Sequence, residues 1–412
     1  MSLSASMSNA LSGLGAASRM AEVVSSNLAN ALTDGYARRI VQISSQDIGG
    51  RGGGVRVDGV IRIVDRGLLA DRRLADAALA RDDRMAAAFS RLEQVAGRAD
   101  SPDSLAGRIV RLEGTLVAAS SDPSSAVRLE DVLAALDSVT EGFAAESRAI
   151  TGMRNDAEAA IAADVEALDR ALGGIHRLNE DISRALTGGQ DATALMDARQ
   201  LLIDEVSSIV PVRTLDRPGG KLAVLSTSGA VLVDSRPAEI GFTPANVIVP
   251  GMTYAGGQLQ GLTFNGDPVS PSNGFARLDG GSLGAAFRLR DEVLPAQQRD
   301  LDARAADLIA RFEDAAVDPT WSPGATGLLT DGGGPLDTSD ITGLAARMGV
   351  SAAIDPAAGG ALWRLRDGTA ASTRARSETA RRSTGGARPS PRIARFSPAA
   401  WPGAPQATPP TA

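Results

Sequence analysis

Apolar and small residues recur at Leu3, Met7, Ala10, Leu14, Ala17, Ala21, Val24, Leu28 and Ala31, in unbroken steps of four and three. That heptad seam predicts a helix about 43 Å long that lies along other helices. Much of the seam is alanine, so one copy buries little apolar area and the helix needs partners. The stretch Asn27-Leu28-Ala29-Asn30-Ala31-Leu32-Thr33-Asp34-Gly35-Tyr36 closes it. Gly35 is the expected left-handed cap, with Tyr36 presented just outside.

The pattern then changes. Arg38 to Ser44 reads as extended chain, and Gly49 to Gly54 as a flexible loop. Val55, Val57, Ile61 and Ile63 flank Asp58-Gly59, which predicts a hairpin with its turn at that pair. A helix is expected from Val64 to Ala96, with Met85, Phe89, Leu92 and Ala96 as its apolar stripe, and a short one from Ser104 to Ala119. Asp122-Pro123 has the residues of an N-cap and first turn. No proline follows until Pro211. Two seams run through this region, Leu129 to Met153 and Ile161 to Ile175, offset near Ala157, with breaks expected at Gly173-Gly174 and Gly188-Gly189. Leu195, Leu202, Val206 and Ile209 mark one face of a last helix.

From Val212 to Gly281 the chain is rich in Gly, Pro, Ser, Thr and Val. Leu222–Leu225 and Val231–Val233, joined through Ser228-Gly229, predict a hairpin, and short apolar runs recur at 246–249, 258–264 and 274–278. Helix returns over Ser282–Asp314, with Leu283, Phe287, Leu294, Leu301, Leu308 and Phe312 as the stripe and Pro295 expected to kink or split it. A Gly/Pro-rich loop (317–334) and a short mixed segment (338–354) follow. From Thr369 the chain is Arg, Ser, Thr, Ala and Pro with one acidic residue, Glu378. That composition reads as a disordered tail. The fold class is therefore mainly α, with long rod-like helices, an inserted β-rich domain and a disordered C-terminal tail. The expected divisions are 1–40, 41–211, 212–281, 282–368 and 369–412.

Composition narrows the function. Of 412 residues, 42 are Lys or Arg and 49 Asp or Glu, a net charge of −7. Mild acidity argues against a general nucleic-acid binder. The absence of cysteine removes disulfides, thiolate metal sites and cysteine nucleophiles together. No run approaches the length of a membrane span, and Met1–Gly13 lacks the basic start and apolar core of a cleaved signal peptide. Aromatics are 3% of the chain, low for a substrate pocket.

Candidate chemistry is sparse. His176, the sole histidine, has no second His or Cys to complete a metal site. The glycine loop 49–54 lacks the Gly-Lys-Ser/Thr ending of a phosphate cradle and leads into strands. Asp331, Asp337 and Asp340 have the wrong spacing for an EF-hand. Catalytic, metal and cofactor residues are therefore expected to be absent.

Ser12-Gly13-Leu14, Asn27-Leu28-Ala29-Asn30 and Thr33-Asp34-Gly35-Tyr36-Ala37-Arg38 resemble the N-terminal signature of flagellar axial proteins, the rod, hook and hook-associated family. Family members usually read Asn-Thr-Pro-Gly-Tyr-Ser-Arg-Gln at the turn; this chain differs at Leu32, Asp34, Ala37 and Arg39 and keeps its turn-forming character. Ser121–Arg128, Leu195–Val206, Gly220–Leu225 and Gly281–Pro295 resemble the hook-associated branch that joins hook to filament, and the likeness covers about residues 1–366. It implies a structural, non-enzymatic role outside the cell, with export through the type III apparatus without signal cleavage. The implied partners are further copies of the chain in a ring, the hook protein, a filament-side hook-associated protein and an export chaperone. No nucleic acid and no membrane insertion are implied. The assembly residues carried over are Leu3, Met7, Leu14, Val24, Asn27, Leu28, Asn30, Gly35 and Tyr36. The family ends in a second heptad helix, where this chain has the Arg/Pro tail; the abrupt switch after Asp367-Gly368 reads as a frameshift or truncation and counts against chaperone binding. The competing readings are a secreted adhesin or type III effector whose β-rich insertion binds, and a hydrolase carried on a flagellar scaffold.

Overall fold

The computed structural model describes residues 3–48, 51–98, 100–269 and 278–374. The chain divides into two units, each built from three stretches of sequence: 1–86, 157–246 and 254–288, and 87–156, 247–253 and 289–412. The helix Ala126–Thr187 (α4, with α1–α3 given below) runs unbroken for 62 residues and supplies residues to both.

The first unit opens with α1 (Leu3–Ala29), then the antiparallel pair β1 (Arg39–Ile48) and β2 (Arg51–Arg62). The Asp58-Gly59 turn expectation is corrected here. Gln42 pairs with Gly59 and Ile43 with Val57, so Asp58 is an extra residue within β2. Its carboxylate accepts from Ser44 Oγ (3.0 Å) and Arg56 Nε (2.7 Å), which stabilises a bulge where a turn was expected. The glycine run belongs in part to the strand, and the connection at 49–50 lies outside the described residues.

Helix α2 (Arg66–Ala96) buries only Arg73 and Ala77. The expected apolar stripe is not its anchor, and Phe89 is half exposed. In the first unit α2 is held through arginines: Arg73 Nε to Asp204 (2.8 Å), Arg72 to the same carboxylate, and Arg84 to Asp164 (2.8 Å), which Ser282 Oγ also reaches (2.8 Å).

The first unit's core joins α4 to the β-rich stretch. Ile161, Leu168, Leu172 and Ile175 of α4 pack with Ile203 and Val206 of α5 (Thr193–Ile209). Val212, Val224 and Leu232 add the sheet β3 (Val212–Asp216), β4 (Leu222–Ser226), β5 (Val231–Val233). A second sheet, β6 (Ile240–Phe242), β7 (Leu262–Phe264), β8 (Asp267–Val269), contributes Ile240 and Phe264. Helix α6 (Gly281–Arg288) closes the core with Leu283 and Phe287, whose ring meets Phe242 edge-on at 6.0 Å. The hairpin at Ser228-Gly229 forms as expected. Residues 246–249 are irregular chain, and 270–277, which hold most of the last predicted apolar run, lie outside the described residues.

Gly173-Gly174 does not break α4. A Cβ on Gly174 would sit 2.7 Å from Leu202 Cδ1, so the glycine admits α5 at close range. Gly188-Gly189 does end the helix, Gly189 at φ +68°. At the other end Asp122 and Pro123 form a turn before the helix: Asp122 accepts from Ser124 Oγ (2.8 Å), and α4 begins at Ala126.

The second unit packs α3 (Leu105–Ser121), capped by Ser104 Oγ on the Gly107 amide (3.0 Å), with the first half of α4 and with α7 (Leu294–Phe312). Pro295 lies in the first turn of α7, and a π-helical turn over Leu289–Val293 precedes it, so the expected split is real. Arg154, buried on α4, donates to the carbonyls of Arg290 (3.0 Å) and Met252 (2.7 Å). Asp302, buried on α7, accepts from the amides of Gly343 (2.8 Å) and Ala345 (2.9 Å). A short pair, β9 (Leu329–Asp331) with β10 (Met348–Val350), follows. The tail boundary expected at Thr369 moves: Thr369 is buried, and its amide and hydroxyl bond Asp318 Oδ2 at 2.8 and 2.9 Å. Residues 375–412, the rest of the expected disordered tail, lie outside the described residues.

Candidate assembly site

Helix α1 has two unlike faces. One rests on β1 and β2. Ala16 and Val23 are buried there, Ser12 Oγ accepts from the Val55 amide (3.2 Å), and Asn9 Nδ2 donates to the Gly52 carbonyl (3.3 Å). Small and polar residues line this face because the backbone of β2 comes close: a Cβ on Gly54 would lie 2.2 Å from Ser12 Oγ.

The opposite face carries the heptad seam. Met7 is 73% exposed, Leu14 68%, Val24 64% and Leu28 79%, with Leu11 beside them at 70%. Large apolar side chains on a regular heptad are uncovered here by any described residue. Covering each of them is worth about 1.5–3 kcal/mol. Leu3 opens the helix, and its side chain lies outside the described residues.

The turn after α1 is a polar knot. The helix ends at Ala29, so Gly35 is not its cap. Gly35, at φ +77°, is the third residue of a turn closed by the Tyr36 amide on the Thr33 carbonyl (3.2 Å). A Cβ there would lie 2.4 Å from Leu201 Cγ. Tyr36 is folded back and half-buried, not presented outward: its hydroxyl donates to Asn27 Oδ1 (2.9 Å). Asn27 also accepts from the Arg39 amide (2.9 Å) and donates to the Arg39 carbonyl (2.8 Å). That combination needs an amide side chain, with donor and acceptor both in use. Asn30 Nδ2 donates to the Ser26 carbonyl (2.9 Å) and Asn30 Oδ1 accepts from Thr33 Oγ1 (3.3 Å). The carried-over residues thus separate into two groups: Asn27, Asn30, Gly35 and Tyr36 build the turn, and Met7, Leu14, Val24 and Leu28 form the open seam.

A residue not singled out from the sequence ties the knot to α5. Asp197, 8% exposed, accepts from Arg39 Nη2 (2.6 Å), Arg62 Nε (2.7 Å) and the Ala37 amide (3.2 Å). Arg62 also reaches Gln200 Oε1 (2.9 Å), and the Arg39 guanidinium lies 4.7 Å from the Tyr36 ring centre. Asp197 lies on the opposite side of α5 from the expected stripe Leu195, Leu202, Val206 and Ile209, so no local signal marked it; its burial is what requires cationic partners. Two positions on, and so on another side of α5, buried Arg199 donates to Asn179 Oδ1 (2.7 Å) and the Gly220 carbonyl (2.8 Å). Desolvation, then the Arg62 charge, pushes its pKa down to about 10, against the pull of Asp216.

The half-buried His176 has an Nδ1 with no partner, and no group of three His, Asp, Glu or Cys among the described residues could hold a metal ion. No described helix is long and apolar enough to cross a membrane.

The family profile described as flagella basal body rod protein matches residues 7–36, the seam and its turn. The profile described as flagellar hook-associated protein FlgK helical domain matches residues 89–318, more than half of the chain, and the chain belongs to that family. Among curated relatives, flagellar hook-associated protein 1 of Bacillus subtilis is 28% identical over 221 residues, covering 50% of this chain and 43% of that one. Its Escherichia coli counterpart is 27% identical over 250 residues, 58% of this chain and 44% of that one. The matched region is thus less than half the length of either relative. The solved structure of the flagellar hook junction protein FlgK from Burkholderia pseudomallei has a TM-score of 0.47 at 17% identity, over 63% of this chain and 46% of that one.

Proposed function

We propose that the chain is a structural subunit of the bacterial flagellum at the hook–filament junction, required for assembly and without catalytic activity. The observation that carries this reading is the open heptad seam of α1, on a helix whose end is fixed to the fold by Asn27 and Asp197. A surface of that regularity is stable in water only as a marginal single helix and gains most of its energy on being covered. The partners that fit are neighbouring copies of the chain in a ring, the hook protein below and a filament-side hook-associated protein above. The seam residues Leu3, Met7, Leu14, Val24 and Leu28 form the contact, and Asn27, Asn30, Gly35 and Tyr36 set its direction. Export proceeds through the type III apparatus without signal cleavage, to a final place outside the cell. The β-rich stretch supports the adhesin reading poorly, since its inward residues belong to the same core as α4 and α5.

Because the chain has no cysteine, Val24→Cys places a single thiol on the seam. Maleimide should label it readily in the free subunit and at least tenfold more slowly in assembled flagella. Equal labelling in both states would overturn the reading.

A further inference from the structure

Helix α2 is built inside out. Arg66, Arg73 and Arg84 are separated by seven and eleven residues, close to two and three helical turns, so they fall on one line along the helix. Each takes an aspartate of the first unit: Arg66 pairs with Asp216, Arg73 with Asp204 and Arg84 with Asp164. Arg72 reaches Asp204 from the flank, and Arg84 also donates to the Ser282 carbonyl (2.8 Å). Leu68 and Leu79 lie on the opposite side of the helix, exposed. Over residues 66–86, Ala77 is the one apolar residue that is buried.

This is the reverse of a helix anchored by an apolar stripe. When such a stripe leaves its groove, apolar area enters water at a cost that scales with the area exposed. When α2 leaves, Leu68 and Leu79 are already in water and add nothing to that cost. The guanidinium and carboxylate groups regain the hydration that docking removed, which offsets much of the lost attraction. The apolar cluster around Leu168, Ile203 and Phe287 includes no described residue of α2, so it keeps its own contacts.

We propose that residues 66–86 of α2 form an ionic strap, which undocks from the first unit and returns while the core stays folded, to an extent set by ionic strength. Weakening the Arg–Asp row shifts the strap toward the undocked state. The inference stands independently of the flagellar reading.

The full chain carries no cysteine, so a single thiol reports the opening. Ala77→Cys lies on the docked side of α2, and Ala171→Cys in the core of the same unit. Maleimide should label position 77 about tenfold faster than position 171, or more, because local opening precedes global unfolding. Raising salt to 1 M, where the Debye length is about 3 Å, should speed labelling at 77 and not at 171. Asp204→Asn with Asp164→Asn should speed it at 77 further. Arg66→Gln with Arg72→Gln, both at exposed positions, should act the same way without altering a core residue. Amide exchange of the unsubstituted chain is a second measurement: residues 66–86 should open at lower denaturant than Ile161–Ile175. Equal labelling at 77 and 171, matched exchange of the two segments, or labelling at 77 that neither salt nor the charge variants accelerate overturns the proposal.

Discussion

Asn27 holds both backbone groups of Arg39, donating to its carbonyl at 2.8 Å and accepting from its amide at 2.9 Å. One side chain near the end of α1 thereby fixes the start of β1. Asn27→Ala leaves these half-buried groups without partners, at a cost of about 1–3 kcal/mol. Asn27→Asp keeps the accepted bonds and sets a carboxylate against the Arg39 carbonyl, so it recovers only part of the loss. Amide exchange of residues 26–41 should speed up in both variants, most in the alanine. Unchanged exchange would refute the clamp.

Gly35 has two reasons to be glycine. Its left-handed backbone costs another residue about 1–2 kcal/mol, and a Cβ would strike Leu201. Gly35→Ala should lower thermal stability, and adding Leu201→Ala should relieve the clash but not the backbone cost. Full recovery in the double variant would show that the φ angle is not a constraint.

Asp197 joins the knot to α5 through Arg39 and Arg62. Asp197→Ala strands two largely buried guanidinium groups and should cost about 3–5 kcal/mol. Protection should fall in α1 and the β1–β2 pair before it falls in the Ile161–Ile175 core. Simultaneous loss across both would mean that Asp197 supports the core itself.

This junction separates what was legible in the sequence from what was not. The seam of α1, the hairpin at Ser228-Gly229 and the buried stripe Leu283 to Phe312 follow from local periodicity and turn chemistry, which a linear reading captures. Asp197 pairs with residues 135 and 158 positions away, and no local pattern encodes such a partner. Gly173-Gly174 was misread because glycine marks either a break or a close approach, and Leu202 decides which. Asp58-Gly59 was misread because an Asp-Gly pair serves a bulge as well as a turn. Tyr36 was expected to point outward, since the acceptor that folds it back, Asn27, is nine positions earlier and a full turn of chain away.

Burial raises the pKa of Glu146, with the Arg304 charge opposing it. The folded state therefore holds this proton at higher pH than the unfolded chain, whose carboxyl titrates near 4.5. The associated stability is fully present below that value and is lost as pH rises through the folded one. Glu146→Gln should flatten the fall in stability above pH 4.5 and leave stability at pH 7 equal or higher. Denaturant titrations that instead show lower stability at pH 7 would contradict the assignment.

On the proposed function, the seam of α1 is an assembly surface and not part of the subunit's own core. Leu14→Asp with Leu28→Asp tests it most directly, because both side chains are exposed in the isolated chain. The unfolding midpoint should stay unchanged within error, and incorporation at the hook tip should be lost. Normal incorporation, or a subunit that no longer folds, would contradict it.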